Sequence, residues 1–122
     1  MKFGIKRIAS MLCVGVLVLA ANVAQAENDV AVVVKIGGVP WFNAMDAGIK
    51  KASKDLNVEA WMVGPTVADA AQQVRAVEDL IARKVKTIAV VPNDATALEP
   101  VFKRAHDAGI KILTHESPDQ KG

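Results

Sequence analysis

The 122-residue chain has little of what many enzyme and metal sites are built from: one cysteine, two histidines and no tyrosine. Because Cys13 is alone, no disulfide within the chain and no cysteine-rich zinc site can form. His106 and His115 are well separated in the sequence, which argues against a shared metal. The motifs HExxH, CxxC, GxxxxGKS/T and GxGxxG are also absent. The sequence therefore predicts no enzyme activity, no metal and no cofactor.

The first 26 residues differ in composition from the rest of the chain. Three basic residues precede an apolar run over 8–20, and Ala24-Gln25-Ala26 then supplies a small-x-small pattern. This order is typical of a secretory signal peptide, and we expect cleavage after Ala26. A membrane anchor is the alternative, but a run of 13 residues falls short of the roughly 20 that a spanning helix needs.

The chain's excess of positive charge belongs to this leader. Lys2, Lys6 and Arg7 account for three of the 15 basic residues, so the remainder carries 12 basic and 13 acidic residues, a net charge of −1. Nothing in the charge therefore points to nucleic acid. Removing 26 of the 122 residues leaves 96, enough for one small domain.

Apolar strands and amphipathic helices alternate along residues 27–122. The strands are predicted over 30–36, 58–63, 87–91 and 110–114, and they lack the polar alternation of half-exposed strands. The alternation predicts an α/β fold, a Rossmann-like parallel sheet with helices on both faces. The fourth strand is followed by no helix, so we expect an incomplete lobe; a complete four-stranded domain is the alternative.

The helices are predicted to begin near Trp41, after Thr66 and at Ala95. Thr66 with Asp69 suggests a shortened capping box, while Asn57 and Gly109 are expected to end the first and third helices. The inward faces predicted from the helical period are Met45, Ile49, Ala52 and Leu56, then Ala70, Val74, Val77 and Ile81, and finally Leu98, Val101, Phe102 and Ala105.

Ligands of open parallel sheets bind beyond the carboxyl ends of the strands, so the loops there hold the candidate site. Trp41 and Phe42 follow a Gly-Gly-x-Pro turn, and one of the two rings can lie against the C–H face of a sugar. The alternative for both is core packing or a hydrophobic staple. Trp61, inside a strand, is predicted to pack in the core or on the sheet.

Polar residues follow the third and fourth strands. Of Asn93 and Asp94, one can cap the next helix while the other points into a cleft, where a carboxylate accepts strong hydrogen bonds from hydroxyl groups. Glu116 can act likewise with His115 beside it, although an ordinary ion pair between Glu116 and Lys35 is the alternative. His106 is predicted to be a surface residue.

Several segments, in this order behind a signal peptide, resemble the ribose/galactose-type periplasmic binding proteins of ABC sugar importers. The resemblance is strongest to the branch that binds rhamnose and autoinducer-2. The segments are Lys35-Ile36-Gly37-Gly38-Val39-Pro40-Trp41-Phe42, Gly64-Pro65-Thr66, Gln73 to Val91 with Pro92-Asn93-Asp94, and Gly109 to Thr114 with Glu116.

The resemblance implies two lobes that close on a sugar, of which residues 27–122 form part of the N-terminal lobe. By position it implies ligand contacts for Lys35, Trp41, Phe42, Asp94 and Glu116. Glu116 stands where the family commonly has Asp, and His115 where an aromatic residue is often found. The set of predicted ligand-binding residues is Lys35, Trp41, Phe42, Asn93, Asp94, His115 and Glu116.

The implied function is the substrate-binding component of a sugar or autoinducer-2-like ABC importer, located in the periplasm. The implied partners are a small sugar-like ligand and a membrane permease, with no nucleic acid, and the protein is expected to be a monomer. The alternatives are a periplasmic sugar-sensing domain, which needs a retained anchor, and the ligand domain of a LacI-like regulator. A regulator needs an N-terminal helix-turn-helix where this chain has its apolar leader.

Overall fold

The computed structural model describes residues 28–121, and the predicted signal peptide with Cys13 lies outside them. The elements alternate as predicted: β1 (Asp29–Val33), α1 (Pro40–Leu56), β2 (Glu59–Val63), α2 (Ala70–Ala82), β3 (Thr87–Val90), α3 (Ala95–Asp107) and β4 (Lys111–Thr114). All strand pairs are parallel and the order across the sheet is β2-β1-β3-β4. The predicted α/β fold with a Rossmann-like parallel sheet is confirmed.

The sheet is covered on both faces by different helices. On one face Ala31 and Val33 of β1 and Ile88 and Val90 of β3 pack in a core to which α2 and α3 contribute their buried side chains. On the other face, Val34 and Val91, just beyond the ends of β1 and β3, pack with Phe42 and Met45 of α1. Burial on both faces explains why the central strands β1 and β3 carry β-branched residues without polar alternation, whereas the outer strand β4 is mostly exposed, with Leu113 59% exposed.

The ends of the helices follow local sequence signals. Asn57, with φ of 51°, ends α1 in the left-handed conformation, and Gly109 does the same after α3 with φ of 79°, as predicted. The predicted cap at Thr66 is wrong: Asp69 is the N-cap of α2 and its carboxylate accepts from the backbone N–H of Gln72 at 2.8 Å. Asp69 directly precedes the helix in extended conformation, so its carboxylate reaches the open N–H group.

The inward face of α3 is confirmed, since Leu98, Val101, Phe102 and Ala105 are all buried. The predicted inward faces of α1 and α2 are partly wrong. In α1 only Phe42 is buried, Ala52 is exposed, and Leu56 is 69% exposed. In α2 the buried residues are Gln73, Val77 and Leu80, whereas Ala70, Val74 and Ile81 are only partly buried. The centre of the buried face of α2 thus contains a polar side chain, which an apolar pattern misses.

No helix within residues 28–121 is both long and apolar enough to cross a lipid bilayer.

Two glycines offer a matched test of backbone packing. A Cβ at Gly64, just after β2, would lie 2.7 Å from Val34 Cγ2 and 2.9 Å from the backbone nitrogen of Gly37, whereas a Cβ at Gly48 in α1 would meet nothing within 4 Å. We expect Gly64→Ala to lower the free energy of unfolding by about 1–3 kcal/mol through overpacking. Gly48→Ala should raise it by about 0.5–1 kcal/mol because alanine favours the helix. Urea unfolding of both variants measures this, and equal effects would contradict it.

Candidate functional site

The carboxyl edge of the sheet opens between β1 and β3. From β1 the chain crosses to β2 on one side over the face that α1 covers, and it returns to β3 on the other side over the opposite face. A crevice forms at such a reversal because the loops leave the two central strands in opposite directions. The strands are joined by a hydrogen bond from Val91 N to Val33 O at 2.8 Å, after which the chain enters the loops at 34–39 and 92–94.

The side chain of Gln73 lies at the base of this crevice. It is fully buried, and its Nε2 donates to Val34 O at 3.0 Å and to Val91 O at 2.9 Å. Its Oε1 accepts from the backbone N–H of Asn93 at 2.7 Å. One amide thus satisfies three backbone groups, each of which would cost about 1–3 kcal/mol if buried without a partner.

Two further contacts tie the loops together. Asn93 Nδ2 donates to Lys35 O at 3.1 Å, which joins the loop after β3 to the loop after β1. Gly37 N donates to Pro65 O at 2.8 Å, which joins the loop after β1 to the loop after β2. The side chain of Asn93 therefore contacts backbone, and Lys35 is half-buried in the loop that it holds.

The two aromatic residues at the start of α1, Trp41 and Phe42, differ in their exposure. Phe42 is only 6% exposed and packs with Val34 and Val91 beneath the loops, so it offers a ligand almost no surface. Trp41 is 65% exposed and is the ring of the pair that a ligand can reach. Trp61 is partly buried against the core on the α2–α3 side, as predicted, with the Arg83 guanidinium 5.1 Å from its ring centre.

Asp94 is the N-cap of α3. Its Oδ1 accepts from the backbone N–H of Ala97 at 2.7 Å, and the residue is exposed. Of the two candidates for a cap, Asp94 rather than Asn93 fills this role. A carboxylate has two oxygens with several acceptor positions, so capping through one oxygen leaves the group able to accept hydrogen bonds from a ligand.

His115 and Glu116 leave the end of β4 and are both exposed. The backbone N–H of His115 donates to Val90 O at 2.9 Å, which holds the start of this segment beside β3. Glu116 has φ of 55°, an uncommon conformation for a residue with a side chain. The ion pair considered between Lys35 and Glu116 is not formed within residues 28–121. His106 is exposed on α3, as predicted.

A cavity of about 700 Å³ lies elsewhere, between α3, β4 and the segment after it. Phe102 and Ile112 form part of its lining, and it contains none of the seven predicted ligand residues. The pKa of the Asp107 carboxyl on its rim is lowered, chiefly by a hydrogen bond from Lys103. This cavity lies on the flank of β4, the outermost strand of the described sheet, whereas the predicted ligand residues follow the carboxyl ends of the strands, where parallel sheets bind ligands.

The described part of the chain holds no cluster of three or more His, Cys, Asp or Glu residues suited to a metal. Sequence reasoning missed Gln73 and Gly64, which shape the crevice without lining it. Apolar residues precede and follow Gln73 at helical spacing. The sequence therefore places this polar residue on the inward face of the helix, and this is the signal that could have identified it. In the sequence, Gly64 stands out only as part of the segment Gly64-Pro65-Thr66, on which the family resemblance partly rests.

An open parallel sheet with an exposed indole and carboxylates at its carboxyl edge defines a class: a Rossmann-like lobe that binds a small polar ligand. The chain belongs to the family described as periplasmic binding protein domain, which matches residues 30–122. The resemblance inferred from the sequence is thereby confirmed. Proteins of this family bind solutes and are not enzymes, and their location is the periplasm.

A D-ribose/D-allose-binding protein from Pseudomonas aeruginosa is 30% identical, covering 88% of this chain and 38% of that protein. An ABC transporter solute-binding protein from Burkholderia graminis, in complex with D-arabinose, is 39% identical with a TM-score of 0.68, covering 72% of this chain and 30% of that one. A counterpart from Actinobacillus succinogenes with bound D-allose is 31% identical with a TM-score of 0.67, covering 70% and 30%. The chain therefore spans well under half the length of these relatives.

Two variants of Asp94 can distinguish the contribution of its hydrogen bond as a helix cap from the contribution of its negative charge. We expect Asp94→Ala to lower the free energy of unfolding by about 1 kcal/mol, because the N–H of Ala97 loses its acceptor. Asp94→Asn should lower the free energy of unfolding by only a small part of that amount, since an amide oxygen accepts the same hydrogen bond. Asp69→Ala removes the equivalent cap of α2 and serves as the matched control. Urea unfolding measures all three, and an Asn variant as unstable as the Ala variant would contradict the capping role.

Proposed function

We propose that residues 27–122 form part of the N-terminal lobe of a solute receptor that binds a monosaccharide, or a sugar-like signal, for an ABC importer. The observation that carries the proposal is the family match over residues 30–122. The exposed Trp41, Asp94 and Glu116, which follow β1, β3 and β4, support it. The relatives with named sugars support the ligand class. The same family match favours a receptor over a regulator, and the leader favours export.

The exposed groups suit a polyhydroxylated ring. The Trp41 indole can pack against C–H groups, while Asp94 and Glu116 accept charge-assisted hydrogen bonds from hydroxyls. The ammonium of Lys35 adds a donor, and His115 can add a further polar contact. Phe42 supports Trp41 from the core, and Asn93 holds the backbone at Lys35.

A hinged clamp needs two lobes to exclude water from its ligand. The relatives are longer than this chain, so the second wall of a closed site corresponds to parts of them that this chain does not match. We propose that a permease contacts the closed two-lobed receptor, that the receptor is monomeric, and that one lobe alone binds sugar weakly.

Sugar binding can be tested by NMR on the ¹⁵N-labelled chain titrated with D-ribose or D-allose. We expect shift changes at the Trp41 indole, Asp94 and Glu116 with a dissociation constant of roughly 1 mM or weaker, because a single lobe makes only part of the contacts. Trp41→Ala should weaken binding about fivefold, equivalent to about 1 kcal/mol.

The matched control is Leu56→Ala, which removes a side chain 69% exposed at the opposite end of α1, compared with 65% for Trp41. This variant should leave the titration unchanged. Leucine, a solute of another class, serves as the ligand control. Absence of shift changes with every sugar at tens of millimolar, or equal changes with leucine, would contradict the proposal.

Export can be tested by expressing the whole chain in a Gram-negative host and determining the N-terminus of the periplasmic product. Cleavage after Ala26 should give a protein that begins with Glu27. Ala26→Leu should abolish processing because the peptidase requires a small residue there. A product in the periplasm that retains residues 1–26, or processing that the Leu variant does not affect, would contradict this assignment.

A further inference from the structure

Gln73 is a polar residue that is buried as completely as the most buried apolar residues of the core. Its side chain is 0% exposed, and the residue lies in the first turns of α2 with Val77 one turn further along the same buried face. Both ends of its amide are engaged, through two donated hydrogen bonds and one accepted bond. A buried amide satisfied in this way specifies one geometry, since each partner must remain at hydrogen-bond distance.

The three partners of Gln73 belong to the two loops that border the crevice. Val34 O immediately precedes Lys35, while Val91 O and Asn93 N lie on either side of Pro92. Within the sheet, β1 and β3 pair up to Val33 and Val90. Just beyond that point, after the direct bond from Val91 N to Val33 O, the Gln73 amide bridges Val34 O of one loop to Val91 O and Asn93 N of the other. The spacing of the two loops at this point is therefore restrained by one carboxamide.

We propose that Gln73 is a positioning residue of the ligand site: it touches no ligand, but it fixes where Lys35 and Asp94 stand relative to each other. The effect reaches Lys35 by two routes, through Val34 O and through the Asn93 side chain that donates to Lys35 O. It reaches Asp94 through the backbone of Asn93. The part of this inference that concerns affinity rests on the sugar-binding function proposed above.

The first test uses the unsubstituted chain and needs no ligand. The side-chain N–H protons of Gln73 should exchange with solvent at least a hundredfold more slowly than those of a free amide, because they are buried and bonded. NMR exchange measurements on the ¹⁵N-labelled chain give this rate directly. Exchange at the rate of a free amide would overturn the proposal, whatever any variant does.

The second test compares Gln73→Met with Val77→Ala. Methionine keeps the length of the side chain but lacks the amide, whereas Val77→Ala weakens the same buried face and leaves all three loop contacts in place. In Gln73→Met we expect the side-chain amide signals of Asn93 and the backbone signals of Lys35 and Asp94 to move, and D-ribose binding to weaken at least tenfold. In Val77→Ala those signals and that affinity should stay as in the unsubstituted chain.

The outcomes distinguish the two proposals. If the unsubstituted chain binds no sugar, the sugar-binding proposal fails, and Gln73 is still tested by the exchange rate and by the signals of Asn93 and Lys35. If Gln73→Met folds with unchanged loop signals and affinity, positioning by Gln73 is overturned. Positioning by Gln73 is also overturned if Val77→Ala shifts the loop signals equally, because the shifts then reflect the loss of stability alone. Should Gln73→Met fail to fold, the exchange measurement decides.

Discussion

Two parallel strands that separate at their carboxyl ends leave backbone carbonyls in a dry environment. In this chain Val34 and Val91 are both almost fully buried, and their carbonyl oxygens share one donor group, the amide of Gln73. Without such a group, the strands have either to continue pairing, which closes the crevice, or to bury unsatisfied acceptors. The geometry of the chain at the carboxyl ends of β1 and β3 depends on this interaction.

The loops around that point are held by backbone geometry more than by charge. Gly64 lets the loop after β2 approach Val34 and Gly37 closely, and the N–H of Gly37 then reaches Pro65 O. The exposed groups of the site are supported from beneath, since Phe42 packs under Trp41's turn and Asp94 is fixed as a helix cap. Small rigid contacts thus position a few exposed side chains, and this arrangement suits recognition of a ligand rather than a reaction.

The sequence was sufficient for the order of elements because the strands are short and mainly apolar, and because α1 and α3 end at clear signals, Asn57 and Gly109. It places the candidate site at the carboxyl edge of the sheet because that follows from parallel topology alone. The face of α2 was less predictable, since Gln73 is buried through contacts with strands that are distant in sequence. The division between Trp41 and Phe42 also depends on tertiary packing, because the two rings are adjacent and chemically alike.

The strand order determines when each strand can pair with its neighbours as the chain is synthesised. β1 is made first, yet its two neighbours in the sheet, β2 at Glu59–Val63 and β3 at Thr87–Val90, come later. During synthesis the valine-rich segment therefore has no partner on one side until about sixty more residues have emerged, because its second neighbour begins at Thr87. β1 is thus the strand of the described sheet that waits longest for its second neighbour, and an apolar segment without its partner is prone to association.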